Sequence, residues 1–240
     1  MFFQRSCRAL CAIGLVLAAT ALSPQNATPG APVALTSAQI VKQMERRTAE
    51  RANGLKQYKA LRHYEVEYKG FATTIQGRMD VEATYDASSG KSFRVVSQSG
   101  SKLLCEKVLK RAVDSEQEAS HDKSATALTE VNYKFRLSGS DVVEGRPAYI
   151  LDVEPVTASK FLYRGKIWVD AADFALVKME VEPAKSPSFW ISKTSIQQTF
   201  ARTGGFWLPK ENRSETKVRV GGTAVFTIDY GSYQIVSDAQ

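Results

Sequence analysis

Two stretches of this chain alternate so regularly between apolar and polar residues that they fix much of what it can become. In Tyr64-Glu65-Val66-Glu67-Tyr68-Lys69 every second residue is apolar and every other one charged, and Met79-Asp80-Val81-Glu82-Ala83-Thr84-Tyr85-Asp86 repeats the pattern. Successive side chains of a strand point to opposite faces, so a period of two means one buried face and one face in water. Sheets wet on one side are antiparallel, which makes the chain mainly β.

The alternation recurs along the rest of the sequence. Residues 92–96 continue it more weakly after the Ser88-Ser89-Gly90 turn, and Tyr133-Lys134-Phe135-Arg136-Leu137 resumes it. Glu144-Gly145, Ala171-Ala172, Thr203-Gly204-Gly205 and Gly221-Gly222 then punctuate a series of closely spaced strands. Connections this short join antiparallel neighbours. About ten or eleven strands are expected, with no tandem repeat and no internal linker.

Two segments follow the helical period instead. Thr36 and Gln39 have the spacing of a capping box, Ile40, Val41, Met44, Thr48 and Ala52 trace one face, and Asn53-Gly54 closes the helix. Residues 101–119 carry Leu104, Cys105, Val108, Leu109 and Ala112 on a second stripe, which places Cys105 in a buried position. The polar run 116–126 reads as a loop.

The N-terminus reads as an export signal. Arg5 and Arg8 precede the largely apolar residues 9–22, with small-residue cleavage sites at Ala19-Thr20-Ala21 or after Ala27. That apolar run is shorter than the ~20 residues a membrane-spanning helix needs. Cys7 and Cys11 lie ahead of most of the apolar run, so neither is placed as a lipid anchor, and Cys105 is left as the one cysteine of the mature chain. The expected organisation is a cleavable signal at 1–27, a lead-in at 28–35 and one domain at 36–240, soluble in the periplasm.

Composition excludes more than it selects. The chain has 32 basic and 25 acidic residues, a net charge of +7, without a block of like charge or a nucleic-acid-binding motif. Mild basicity suits a soluble protein or contact with an anionic membrane. His63 and His121 have no second ligand at metal-binding spacing, so neither a metal nor another cofactor is expected. No nucleophile elbow, phosphate loop or dinucleotide fingerprint occurs. Asp170 and Asp173 could pair as catalytic carboxylates, but their place at a hairpin fits turn chemistry better, so the chain reads as non-enzymatic. Aromatic residues concentrate in the strands, and Pro187-Ser188-Phe189-Trp190 could present them at a rim.

The order of elements, together with Tyr149-Ile150-Leu151-Asp152-Val153-Glu154-Pro155, Gly165-Lys166-Ile167-Trp168-Val169-Asp170 and Phe174-Ala175-Leu176-Val177-Lys178-Met179-Glu180, resembles the LolA-like superfamily of bacterial periplasmic proteins. That family includes outer-membrane lipoprotein carriers, lipoprotein-sorting proteins and related envelope-stress sensors. The resemblance implies an α+β fold, an open antiparallel half-barrel whose concave face is covered by two amphipathic helices. It also implies a monomer that binds the acyl chains of a lipoprotein or another lipid. The alternative it allows is a sensor that uses the same cavity and touches an envelope protein partner. The polar run 116–126 departs from the carriers, and no residue is matched to their functional arginine. Strand parity assigns Tyr64, Val66, Tyr68, Val81, Tyr85, Val95, Phe135, Leu151, Val169, Val177 and Met179 to the lipid-binding wall. Each buried CH₂ of an acyl chain contributes about 0.8 kcal/mol, so such a wall has to be large and apolar.

Overall fold

A computed structural model describes residues 35–121, 123–159, 161–186, 191–219 and 221–237. The expected signal peptide, nearly all of the lead-in and the Pro187–Trp190 rim therefore lie outside the described residues.

The chain enters through α1 (Ser37–Gly54), which begins where the sequence places it. The Thr36 side chain accepts the Gln39 amide, and the Gln39 side chain accepts the Thr36 amide at 2.8 Å, so two orphan donors are satisfied reciprocally. Three strands follow: β1 (Leu55–Lys69), β2 (Thr74–Asp86) and β3 (Gly90–Gly100). Helical segments then interrupt the sheet: α2 (Lys102–Leu104), a π-helical turn (Cys105–Leu109), α3 (Lys110–His121) and α4 (Lys123–Thr126). The remaining strands are β4 (Tyr133–Val143), β5 (Arg146–Pro155), β6 (Tyr163–Asp170), β7 (Leu176–Pro183), β8 (Ile191–Thr203), β9 (Phe206–Val218), β10 (Thr223–Asp229) and β11 (Tyr233–Ser237). The expected loop at 116–126 is instead the second half of α3 and all of α4.

All the strands join one antiparallel sheet in the order β3-β2-β1-β10-β9-β8-β7-β6-β5-β4. The sheet does not close, so β3 and β4 are its edges. β1 is long enough to hold two partners along one side: His63 to Lys69 pair with β10, and Leu55 to Ala60 with β11. The β4–β5 turn is the two-residue kind that continues strand twist, with φ of 49° at Glu144 and 80° at Gly145.

The two faces differ as the alternation requires. The inner face carries the apolar residues and the helices. The outer face carries cross-strand charge pairs, with Lys134 opposite Glu154, Arg136 opposite Asp152 and Lys166 opposite Glu180. Such ladders keep the wet face soluble and favour the observed register. A small apolar cluster of Ala148, Trp168 and Val177 is separate from the two main clusters. It is bordered by polar contacts: the Trp168 indole donates to Asp141 at 3.0 Å, and the Lys178 ammonium sits 4.4 Å from the Trp168 ring centre.

Candidate ligand-binding face

The inner face is organised as two apolar lobes, each under its own helical cover. In the first, Tyr64 and Val66 from β1, Met79 and Val81 from β2, and Ile228 meet Leu104, Cys105, Leu109 and Val113 from the second helical segment. The π turn sets Cys105 and Leu109 inward together. Gly77 lets the helix come close, because a Cβ there would stand 3.0 Å from that of Leu104. The Cys105 thiol is buried and lies 3.4 Å from the Ser99 carbonyl, to which it donates.

In the second lobe Ile40, Val41 and Met44 of α1 lie on Tyr133, Leu151, Val153, Ile167 and Val169 of β4 to β6, with Leu162. Ile40, Val41, Leu151, Ile167 and Val169 have no exposed surface. Burial of each such side chain stabilises the packed state by about 1.5–3 kcal/mol. The far end of α1 is pinned by Arg51, whose guanidinium donates to the backbone carbonyl of Asp173 at 2.9 Å.

Between the lobes the inner face turns polar. Asn212 of β9 donates to the Gln198 side chain of β8 at 2.7 Å, and the hydroxyls of Thr194 and Thr216 lie 3.1 Å apart. Ser214 stands opposite Ile196 in the row between them.

A fully buried charge occupies an inward position. Arg62 of β1 is 1 % exposed, and its guanidinium donates to the Glu116 carboxylate of α3 at 2.8 Å. Its guanidinium carbon lies 4.7 Å from the centre of the Tyr230 ring and 5.3 Å from that of Phe93. Lys91 of β3 holds the other Glu116 oxygen at 3.0 Å. Burial opposes the charge on Arg62, but Glu116, Tyr64 and Tyr230 together overcome it and raise the guanidinium above its ordinary pKa. Burial likewise opposes ionisation of Glu116, and Lys91 and Arg62 together overcome it, holding the carboxyl below its ordinary value. Burial pushes the Tyr64 and Tyr230 phenols up. The alternation flags Arg62 once it is followed backwards: Ala60, Arg62, Tyr64 and Val66 share one parity, and Arg62 is the charged member.

The wall residues expected from parity divide among these features. Tyr64, Val66 and Val81 are core of the first lobe, and Tyr68 packs partly buried against it. Leu151 and Val169 are core of the second, with Phe135 and Met179 partly buried against it. Tyr85 is half-buried and stacks on Tyr58 with ring centres 5.4 Å apart. Val95 stands opposite Val81 but on the edge strand, where it is 42 % exposed. Val177 departs from its parity: it packs with Ala148 and Trp168 rather than with Met179. The register shifts at this point, Trp168 facing Lys178 and Val169 facing Leu176, so Val177 is the extra residue of a β-bulge.

An apolar cavity of about 280 Å³ opens where α1 meets the uncovered strands, lined by Thr48, Ala52, Leu176, Phe200, Phe206 and Leu208 among others. Two larger depressions, of about 750 and 620 Å³, lie on the outer face among charged side chains such as Arg136, Asp152, Lys166 and Glu180, or His63, Asp80 and Glu211. Beside the second of these, Asp80 binds both His63 and Ser97, at 2.7 Å each, so the carboxylate stands between imidazole and hydroxyl. Asp170 is a turn anchor: it accepts the Ala172 and Asp173 amides at 3.0 and 2.7 Å and pairs with Arg146. Among the described residues no group of three or more histidine, cysteine or acidic side chains is placed to hold a metal ion. No helix among them is long and apolar enough to cross a membrane.

No protein-family model matches the chain, and no curated protein matches it. Solved structures do. A DUF1329 family protein from Desulfovibrio piger is 11 % identical over 86 % of this chain and 96 % of its own, with a TM-score of 0.41. A domain named for outer membrane lipoprotein sorting, from Vibrio parahaemolyticus, is 12 % identical over 83 % of this chain and 93 % of its own, with a TM-score of 0.42. The chain is similar, too, to a LolA superfamily protein from Nitrosomonas europaea, at 12 % identity over 86 % of this chain and 96 % of that one, with a TM-score of 0.38.

Proposed function

We propose that this protein is a non-catalytic, periplasmic lipid-binding protein that holds the acyl chains of a lipoprotein or another lipid on the inner face of its sheet. The observation that carries the reading is the apolar cavity between α1 and strands β8 and β9, which opens beside the lobe that α1 covers. The wall residues of both lobes are packed against those helices. Acyl chains would enter at the cavity and take over apolar contacts that α1 makes with β5 and β6. Leu151, Val169 and Met179 would then face ligand where they now belong to the lobe that α1 covers. An open sheet with detachable covers suits this exchange, since a closed barrel would fix its internal volume.

The test is extraction of the protein purified from its own envelope, followed by mass spectrometry of the extract and thermal melts with added acyl-chain ligands. Co-purifying lipid and a rise in melting temperature are expected. A lipid-free protein whose melting temperature ignores every acyl ligand overturns the reading.

A further inference from the structure

At one end of the sheet the outer face abandons its pairing of opposite charges. Lys69 of β1 stands opposite Thr223 of β10, Thr223 opposite Lys217 of β9, and Lys217 opposite Lys193 of β8. All three lysines are exposed. Lys69 reaches back to Glu67 at 2.8 Å, whereas neither Lys193 nor Lys217 has an ion-pair partner among the described residues. Like charges directly opposite on neighbouring strands destabilise a sheet. The acids Glu67 and Glu215 sit one row further in, so the outermost row is cationic.

Beyond that row project two hairpin tips. Phe71, in the β1–β2 tip, is 93 % exposed. It is not loosely hung: its ring rests on Gly221 of the β9–β10 tip, where a Cβ would fall 2.1 Å from it. The Tyr68 hydroxyl ties the same two tips together by donating to the Gly221 carbonyl at 2.8 Å. Arg219 is exposed in that second tip.

We propose that this end of the molecule docks on an anionic lipid bilayer, with Phe71 entering the headgroup layer and Lys69, Lys193, Lys217 and Arg219 lying over the phosphates. An aromatic held foremost with cations behind it is the order in which a membrane surface is met, apolar matter deepest and positive charge at the headgroups. The surface lies on the outer face and at the tips, so it stands independently of what the inner face binds.

Flotation with phosphatidylcholine vesicles, with and without phosphatidylglycerol, tests the proposal on the protein, and each variant, purified from its own envelope. Wild type is expected to float with the anionic vesicles and to be released by raised salt. Lys193→Gln with Lys217→Gln should weaken binding about 25-fold, at about fivefold per cation lost, and should raise the melting temperature by relieving the repulsion. Phe71→Ser should weaken binding without altering the melt, and the emission of Phe71→Trp should shift to the blue on anionic vesicles. The control pair Lys42→Gln with Lys107→Gln removes the same net charge elsewhere and should bind like wild type. The proposal is overturned if the control pair loses as much as the tip pair, if Phe71→Ser binds unchanged, or if neutral vesicles are bound equally well.

Discussion

Arg62 and Glu116 form an ion pair 2.8 Å apart that joins a central strand to its helical cover, with the arginine end 1 % exposed. Removing Glu116 strands the Arg62 guanidinium in a place without water, whereas Glu116 would keep Lys91 at 3.0 Å. Glu116→Leu is therefore expected to destabilise the protein by about 3 kcal/mol, the lower end of what an uncompensated buried charge costs, because Tyr64 and Tyr230 still face the guanidinium. Adding Arg62→Met to Glu116→Leu should recover much of that loss. Urea melts of the two single variants and the double variant give the coupling directly, and additive effects would show that the pair is not what holds α3 down.

The same pair makes stability depend on acidity. The Glu116 carboxyl lies below its ordinary value of 4.5 in the folded protein. Its contribution is thus complete above about pH 4.5 and is lost as the pH falls through the lower folded value. Glu116→Gln should accordingly be less stable than wild type at pH 7, with the gap narrowing steadily below pH 4.5. Parallel stability curves for the two proteins would remove Glu116 from the account.

The cavity beside α1 can be filled without touching the core. Ala52 is exposed on the helix and lines the cavity. Ala52→Phe should leave the melting temperature of the ligand-free protein within a few degrees of wild type while abolishing any rise produced by acyl-chain ligands. An unchanged ligand response would place the entrance elsewhere.

Loosening one cover should not loosen the other. Thr36→Ala removes a cap from α1 and is expected to cost about 1 kcal/mol. Amide exchange followed by mass spectrometry should then quicken in α1 and leave α3 (Lys110–His121) at its wild-type rate. Equal quickening in both helices would contradict separate covers.

Much of this was legible in the chain itself, because the features concerned are local. The Thr36–Gln39 box, the Glu144-Gly145 turn and the alternation of β1 and β2 depend on neighbours within a few residues, and each lies where the sequence puts it. Val177 was misread because a bulge adds a residue without leaving a mark in the sequence, and parity counted across it inverts. Residues 116–126 were misread because the apolar stripe ends at Val113, after which the helix goes on with Glu116 turned to a charge on another strand. No local pattern pairs Glu116 with Arg62, which lies 54 positions earlier. Val95 has the right parity, but its edge position comes from strand order, which alternation does not encode.

The amides of Gln198 and Asn212 and the hydroxyls of Thr194 and Thr216 make a seam down the middle of an otherwise greasy surface. A greasy bridge there would have fused the two lobes into a single melting unit. With the seam in place each half can breathe by itself, as local opening requires few buried apolar contacts to be broken at once. One half can thus open while the other keeps the sheet in register.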